Sequence, residues 1–137
     1  MTRSIPATSG VHHVGLTVPR LDEAQRFFEE ALGFETIGGV PDYPSAFLSD
    51  GAVMLTLWQA ADPASAIAFD RRNNLGLHHL SLAIHPEGDL DTLHGLLEER
   101  SDVRVEFAPE SLGDGPTRHM MCAVSYTHLT LPTNGCV

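Results

Sequence analysis

The chain has 137 residues, 42% of them hydrophobic, with a mean hydropathy of -0.04, which is the length and balance of one globular domain. Eight Lys and Arg face 18 Asp and Glu, for a net charge of -10, so there is no cationic surface to displace counterions and nucleic acid is not an expected partner. No apolar run approaches the ~20 residues of a membrane span, and Met1-Thr2-Arg3-Ser4-Ile5-Pro6 lacks a signal-peptide core, so the expected location is the cytoplasm.

Residues 11–18 alternate and are rich in β-formers, which predicts a strand. Residues 21–32 carry Ala24, Phe27, Phe28, Ala31 and Leu32 at helical spacing, and Gly33 stands where a helix commonly stops. Strands are predicted at 34–40, 44–49 and 52–59, the last two joined at Asp50-Gly51, a strong hairpin signal. Residues 60–74 form a linker with Asp62-Pro63 and the polar run Asp70 to Asn74. A strand at 77–84, a helix at about 90–100 with Asp89 as N-cap, and strands at 103–107 and about 117–123 follow. The two cysteines, Cys122 and Cys136, make neither a disulfide framework nor a CxxC knuckle.

The order contains a repeat. His12-His13-Val14-Gly15-Leu16-Thr17-Val18 matches His78-His79-Leu80-Ser81-Leu82-Ala83-Ile84 at a spacing of 66 residues. The stretch Leu21-Asp22 to Phe27-Phe28-Glu29-Glu30 matches Leu90-Asp91 to Leu96-Leu97-Glu98-Glu99 at a spacing of 69. One βαβββ unit therefore stands twice in an α+β chain, with one strand of the second copy missing. The expected layout is a single domain over 1–137, with module one at about 10–60, the linker at 60–74 and module two at about 75–123.

Strand side chains alternate between faces. Val14, Leu16 and Val18 suit a core under the helix, which puts His13, Gly15 and Thr17 on the other face. In the second copy Leu80, Leu82 and Ile84 face the helix and His79, Ser81 and Ala83 face away. His12 and His78 fall in the core-facing register at the strand starts, where capping or solvent would satisfy them. A lone strand histidine is usually only a satisfied polar residue. Two at equivalent positions of a repeat are candidate metal ligands, since imidazole suits Fe, Mn, Zn or Ni ions and one added carboxylate would complete a facial set. In strand 52–59, Val53, Leu55 and Leu57 suit the core. Met54, Thr56 and Trp58 face the other way, as an apolar cleft wall or as plain packing.

With these residues quoted, the chain resembles the vicinal oxygen chelate superfamily: glyoxalase I, fosfomycin and bleomycin resistance proteins and extradiol dioxygenases. The resemblance lies in HHVGLTV, LDEAQRFFEEALGFE, DGAVMLTLWQ and LGLHHLSLAI and covers about residues 10–123. It implies paired βαβββ modules forming an open barrel-like cleft, of the glyoxalase/dihydroxybiphenyl dioxygenase type, around a divalent metal. It matches His13 and His79 to the family's ligands and places Thr56 where glyoxalase I has a glutamate. A site of two His and one Glu is then the better fit. The reaction expected is a lyase, isomerase or dioxygenase reaction on a small oxygenated substrate in a homodimer. The alternatives are a metal-free binding protein of the bleomycin-resistance type and a truncated, inactive fragment. Metal identity, and roles for Arg118, His119 and Met120, are not assigned.

The expected Glu belongs to a DPDGNRIE-like segment after Met120-Met121-Cys122-Ala123. In its place stands VSYTHLTLPT at 124–133, which reads as the conceptual translation of a transposase sequencing adapter. Residues 124–137, including His128 and Cys136, are therefore expected not to be native. The last strand is expected to be missing or replaced.

Overall fold

The computed structural model describes residues 4–124 and the backbone of residues 129–136. Ten elements run in the order β1 (His13–Val18), α1 (Leu21–Leu32), β2 (Glu35–Val40), β3 (Tyr43–Ser49), β4 (Met54–Gln59), β5 (Leu82–Ala83), α2 (Leu90–Glu98), β6 (Val103–Ser111), β7 (Thr117–Val124) and β8 (Leu129–Cys136). They form two four-stranded sheets, β1-β4-β3-β2 and β5-β8-β7-β6. The orders are the same when the second set is renumbered, and in each sheet the first strand runs parallel to the last. The repeat seen in the residues is thus a repeat of topology.

Local chemistry explains the elements. Helix α1 buries Ala24, Phe27 and Phe28, and Phe28 stacks edge-on with Phe34 at 5.5 Å between ring centroids. Gly33 ends the helix with φ of 73°, a left-handed conformation that suits glycine, and Phe34 N–H donates to Phe28 O at 3.0 Å. At the other end, Gln59 of β4 accepts from Leu21 N–H at 2.9 Å and donates to Pro19 O at 2.8 Å. A strand side chain therefore caps α1 where Arg20 provides no cap of its own. The β3–β4 hairpin turns at Asp50-Gly51, with the Asp50 carboxylate accepting from Ala52 and Val53 N–H, each at 2.8 Å. Asp89 caps α2 by accepting from Thr92 N–H at 3.1 Å.

The helix-bearing sides of both sheets share one core. It joins Leu16, Val18, Leu48, Leu55 and Leu57 of the first unit to Leu90, Leu97, Met120, Cys122 and Val124 of the second. Arg100 sits over the Phe27 ring at 5.5 Å and reaches Glu30 at 3.9 Å, tying the units together.

Two expectations are corrected, and a third, between a missing and a replaced last strand, is decided. The strand expected at 77–84 is regular only at Leu82–Ala83, because β5 is an edge strand whose single neighbour, β8, pairs with it over two residues. The strand expected at 103–107 runs to Ser111, bulging between Val105 and Phe107 and again before Glu110. The missing strand is replaced: residues 129–136 lie between β5 and β7 and follow β7 in unbroken antiparallel register from Thr117↔Cys136 to Val124↔Leu129. His128 lies outside the described residues.

Candidate functional site

The alternation holds in both units. In β1, Val14 is half-buried and Leu16 and Val18 are buried, while His13, Gly15 and Thr17 are exposed. In the second unit Leu80, Leu82 and Ile84 are half-buried, and His79, Ser81 and Ala83 are exposed. His13 and His79 thus stand at equivalent places on faces turned away from the shared core. Their neighbours depart from the expected register. His12 and His78 are exposed, not core-facing, and each turns its ring onto the next histidine. The Nδ1 atoms of His12 and His13 are 2.9 Å apart, and those of His78 and His79 are 2.8 Å apart. A regular strand would send adjacent side chains to opposite faces. The rings meet because His12 precedes β1 in a bend and His78-His79 precede β5.

β4 lies beside β1 in parallel register, with Met54 opposite His13 and Thr56 opposite Gly15. Thr56 is 5% exposed, and its hydroxyl accepts from the Trp58 indole N–H at 2.9 Å. A Cβ on Gly15 would come within 3.1 Å of that oxygen, so glycine there lets Thr56 and Trp58 settle against β1. Trp58 also meets Tyr43 edge-on at 5.0 Å and Phe47 at 5.7 Å between centroids. Met54, Thr56 and Trp58 therefore belong to the non-core face, as expected. The aromatic partners Tyr43 and Phe47 were not singled out in the sequence, although Phe47 alternates with the buried Ala46 and Leu48 and its face could have been read.

On the second sheet, Met120 is buried in the core and Arg118 holds Asp91 of α2 through two bonds of 2.9 Å each. That ion pair holds the Asp91 carboxyl below the usual carboxylate range, chiefly by the hydrogen bond from Arg118. His119 alternates with the buried Met120 and so lies on the non-core face, where its ring meets Phe107 at 4.9 Å. The linker reaches that sheet as well: Arg71 donates to Glu106 at 2.8 Å and lies 3.7 Å from the Met121 sulfur. Burial, with the nearby Glu106 charge second, pushes the Cys122 thiol up to about 11.

Two imidazoles suit a divalent ion, but the set falls one carboxylate short of two His and one Glu. Among the described residues no group of three or more His, Cys, Asp or Glu side chains is placed to hold an ion. No Asp or Glu follows Asp114 in the sequence. Position 132, opposite Met121 in β8 as Thr56 is opposite Phe47 in β4, is a proline.

A repeated βαβββ unit, two open sheets and a histidine pair at the head of each first strand define the class of paired-module α+β domains. The chain belongs to the Glyoxalase/Bleomycin resistance protein/Dioxygenase superfamily, whose model matches residues 10–126. It is 32% identical to a 2-epi-5-epi-valiolone epimerase from Actinomyces sp, over 83% of this chain and 71% of that protein. Among solved structures it resembles an integron cassette protein from the Halifax Harbour sewage outfall metagenome (TM-score 0.70, 21% identity, 93% of this chain and 99% of that one). It also resembles a lactoylglutathione lyase from Agrobacterium tumefaciens (TM-score 0.66, 17% identity, 93% and 94%). Among the described residues no helix is long and apolar enough to cross a membrane.

Proposed function

We propose that this is an enzyme domain of the lyase or isomerase class acting on a small oxygenated organic substrate, with His13 and His79 supplying nitrogen donors to a divalent metal. The observation that carries this reading is the duplicated histidine pair, exposed in both units at equivalent positions of one repeat. The epimerase and lyase named above favour this class over dioxygenation. A divalent ion there would act as a Lewis acid toward two substrate oxygens.

The chain's own residues supply the rest of the setting. Trp58, braced by Thr56, Tyr43 and Phe47, offers an apolar wall beside β1 for the carbon face of a substrate. The half-buried Met54 extends that wall next to His13. Epimerisation removes and returns a proton at one carbon. A carbon next to a carbonyl is the site where that proton is most acidic, so a small hydroxyketone is the substrate class proposed. A homodimer is part of this reading, as the family resemblance implies.

The test is metal analysis of the protein expressed from the uninterrupted gene. About one metal per chain, lost in a His13→Ala/His79→Ala variant, is the expected result. Less than about 0.2 per chain, with small-molecule binding unchanged in that variant, would overturn it. The missing carboxylate favours a second reading, a metal-free ligand-binding protein of the bleomycin-resistance type. That reading expects ligand to quench the single tryptophan, Trp58, equally in the presence and absence of chelator.

A further inference from the structure

The two histidines of the proposed site are held in place by different means. His13 opens β1 and sits in its parallel register with β4, opposite Met54. His79 precedes β5, which begins at Leu82 and pairs with β8 only at Leu82 and Ala83, so among the described residues it has no sheet partner. After it, Leu80 and Leu82 pack against the core. Before it, residues 75–79 are all exposed, so that stretch has no packing of its own. The nearest hold upstream is the linker turn. Asp70 O accepts from Asn73 N–H at 3.2 Å and from Asn74 N–H at 2.8 Å. Its carboxylate accepts from Arg72 N–H at 3.0 Å, and the Asn74 side-chain amide donates to Ala68 O at 3.1 Å. These bonds close the turn on itself, and Arg71 fastens it to the body. The guanidinium donates to Glu106 of β6 at 2.8 Å and lies 3.7 Å from the Met121 sulfur. Met121 stands between the buried Met120 and Cys122, so Arg71 lies on the non-core face of the second sheet, the face to which His79 belongs. The two side chains are 29% and 15% exposed, which shields their charge-assisted bond from water more than an open surface pair.

We propose that Arg71 is a positioning residue for His79: by fastening the linker turn to Glu106, it fixes the start of the exposed stretch that ends in that imidazole. The inference rests on the reading that His13 and His79 bind one metal, and it adds what holds the second of the two donors. Loss of the fastener leaves the turn closed by its own bonds but frees residues 75–79 to take up more conformations. Metal affinity then falls with the fraction of molecules that keep His79 in its place. Arg104 supplies a control within the same cluster. It also donates to Glu106, at 3.3 Å, but it is 75% exposed and belongs to β6 itself, so removing it cuts no tie to the linker.

Ni(II) titration of the full chain by calorimetry, with NMR of the histidine rings in the metal-free protein, tests it. Arg71→Gln and Glu106→Gln are each expected to weaken Ni(II) binding about fivefold. Both should broaden or shift the His79 ring signals and leave those of His13 in place. Arg71→Lys keeps the charge and a donor for Glu106, and should stay within about twofold of the parent. Arg104→Gln should match the parent in both measurements. Unchanged affinity and unchanged His79 signals in Arg71→Gln overturn the inference and leave the proposed function standing. Equal changes at His13 and His79, with a lowered melting temperature, also overturn it, because Arg71 then supports the fold as a whole. If the parent binds no Ni(II), the proposed function falls. The tie from Arg71 to His79 is then upheld by a change confined to the His79 ring in Arg71→Gln and overturned by its absence.

Discussion

The two units share a strand order but not a distribution of core. Phe27 and Phe28 of α1 are both fully buried. Their repeat partners in α2 are Leu96, which is 57% exposed, and Leu97, which is 1% exposed. Helix α1 ends on a left-handed Gly33 with Phe34 folded back onto it, whereas α2 ends at Glu99 in an ordinary helical conformation. The first unit pairs β1 with β4 over six residues, and the second pairs β5 with β8 over two. A duplicated unit keeps its hydrogen-bonding plan while one copy carries more of the aromatic core. The sharpest test is a matched pair of truncations. Phe27→Ala opens a large hole in the shared core and is expected to cost about 3–5 kcal/mol. Leu96→Ala, at the same place in the repeat, should cost less than about 0.5 kcal/mol. Chemical denaturation of the two variants checks this, and equal losses would mean the units are equivalent after all.

The shared plan was legible because it rests on local signals. The periodic Phe27/Phe28 face, the Asp50-Gly51 turn and the Asp89 cap each act within a few residues, and each appears where the sequence put it. The parity of His13 and His79 followed from alternation alone. What was not legible depends on distant partners. Gln59 caps α1 from 38 residues away, and Arg118 finds Asp91 across 27. His12 and His78 left their expected register because the chain bends before regular pairing begins. Residues 129–136 fill the last strand's slot because an edge accepts any extended backbone that can pair.

The next largest effect belongs to the second unit's core. Cys122 is 1% exposed, and its thiol is pushed up from 9.0 to about 11. Between those values the unfolded chain loses the thiol proton while the folded chain keeps it. The folded state then binds more protons, so stability falls as pH rises from about 9 to about 11. The full loss is bounded at about 2–3 kcal/mol. Cys122→Ala should flatten that part of the stability curve while costing some packing at every pH. An unchanged slope in the variant would assign the alkaline loss to other groups.

A smaller effect should appear in the first unit's aromatic wall. Thr56→Val keeps the shape of the side chain but leaves the Trp58 indole N–H without its acceptor. A half-buried donor so orphaned costs about 1–3 kcal/mol when water cannot reach it and less when it can, so a loss near 1 kcal/mol is expected. The emission of Trp58 should also shift as its ring loosens. A variant as stable as the parent, with unchanged emission, would show that Tyr43 and Phe47 alone hold the indole.

The smallest expected change is at the Arg118–Asp91 clamp between β7 and α2. Both side chains are solvent-accessible, at 33% and 57%, so the pair is screened by water and salt, and the two-bond geometry is its main advantage. Arg118→Ala is expected to change stability only slightly at neutral pH. The sign of its pH dependence is fixed by the Asp91 carboxyl, which lies below its usual value in the folded state. The clamp's contribution is complete above the ordinary carboxylate range, where both states are ionised. It fades as pH falls through the lowered folded value, where Asp91 becomes protonated in both states. The difference between Arg118→Ala and the parent should therefore be largest near neutrality, shrink in acid, and shrink again in high salt. A difference that stays constant in acid would show that Arg118 acts by packing its aliphatic stem against α2 and not by charge.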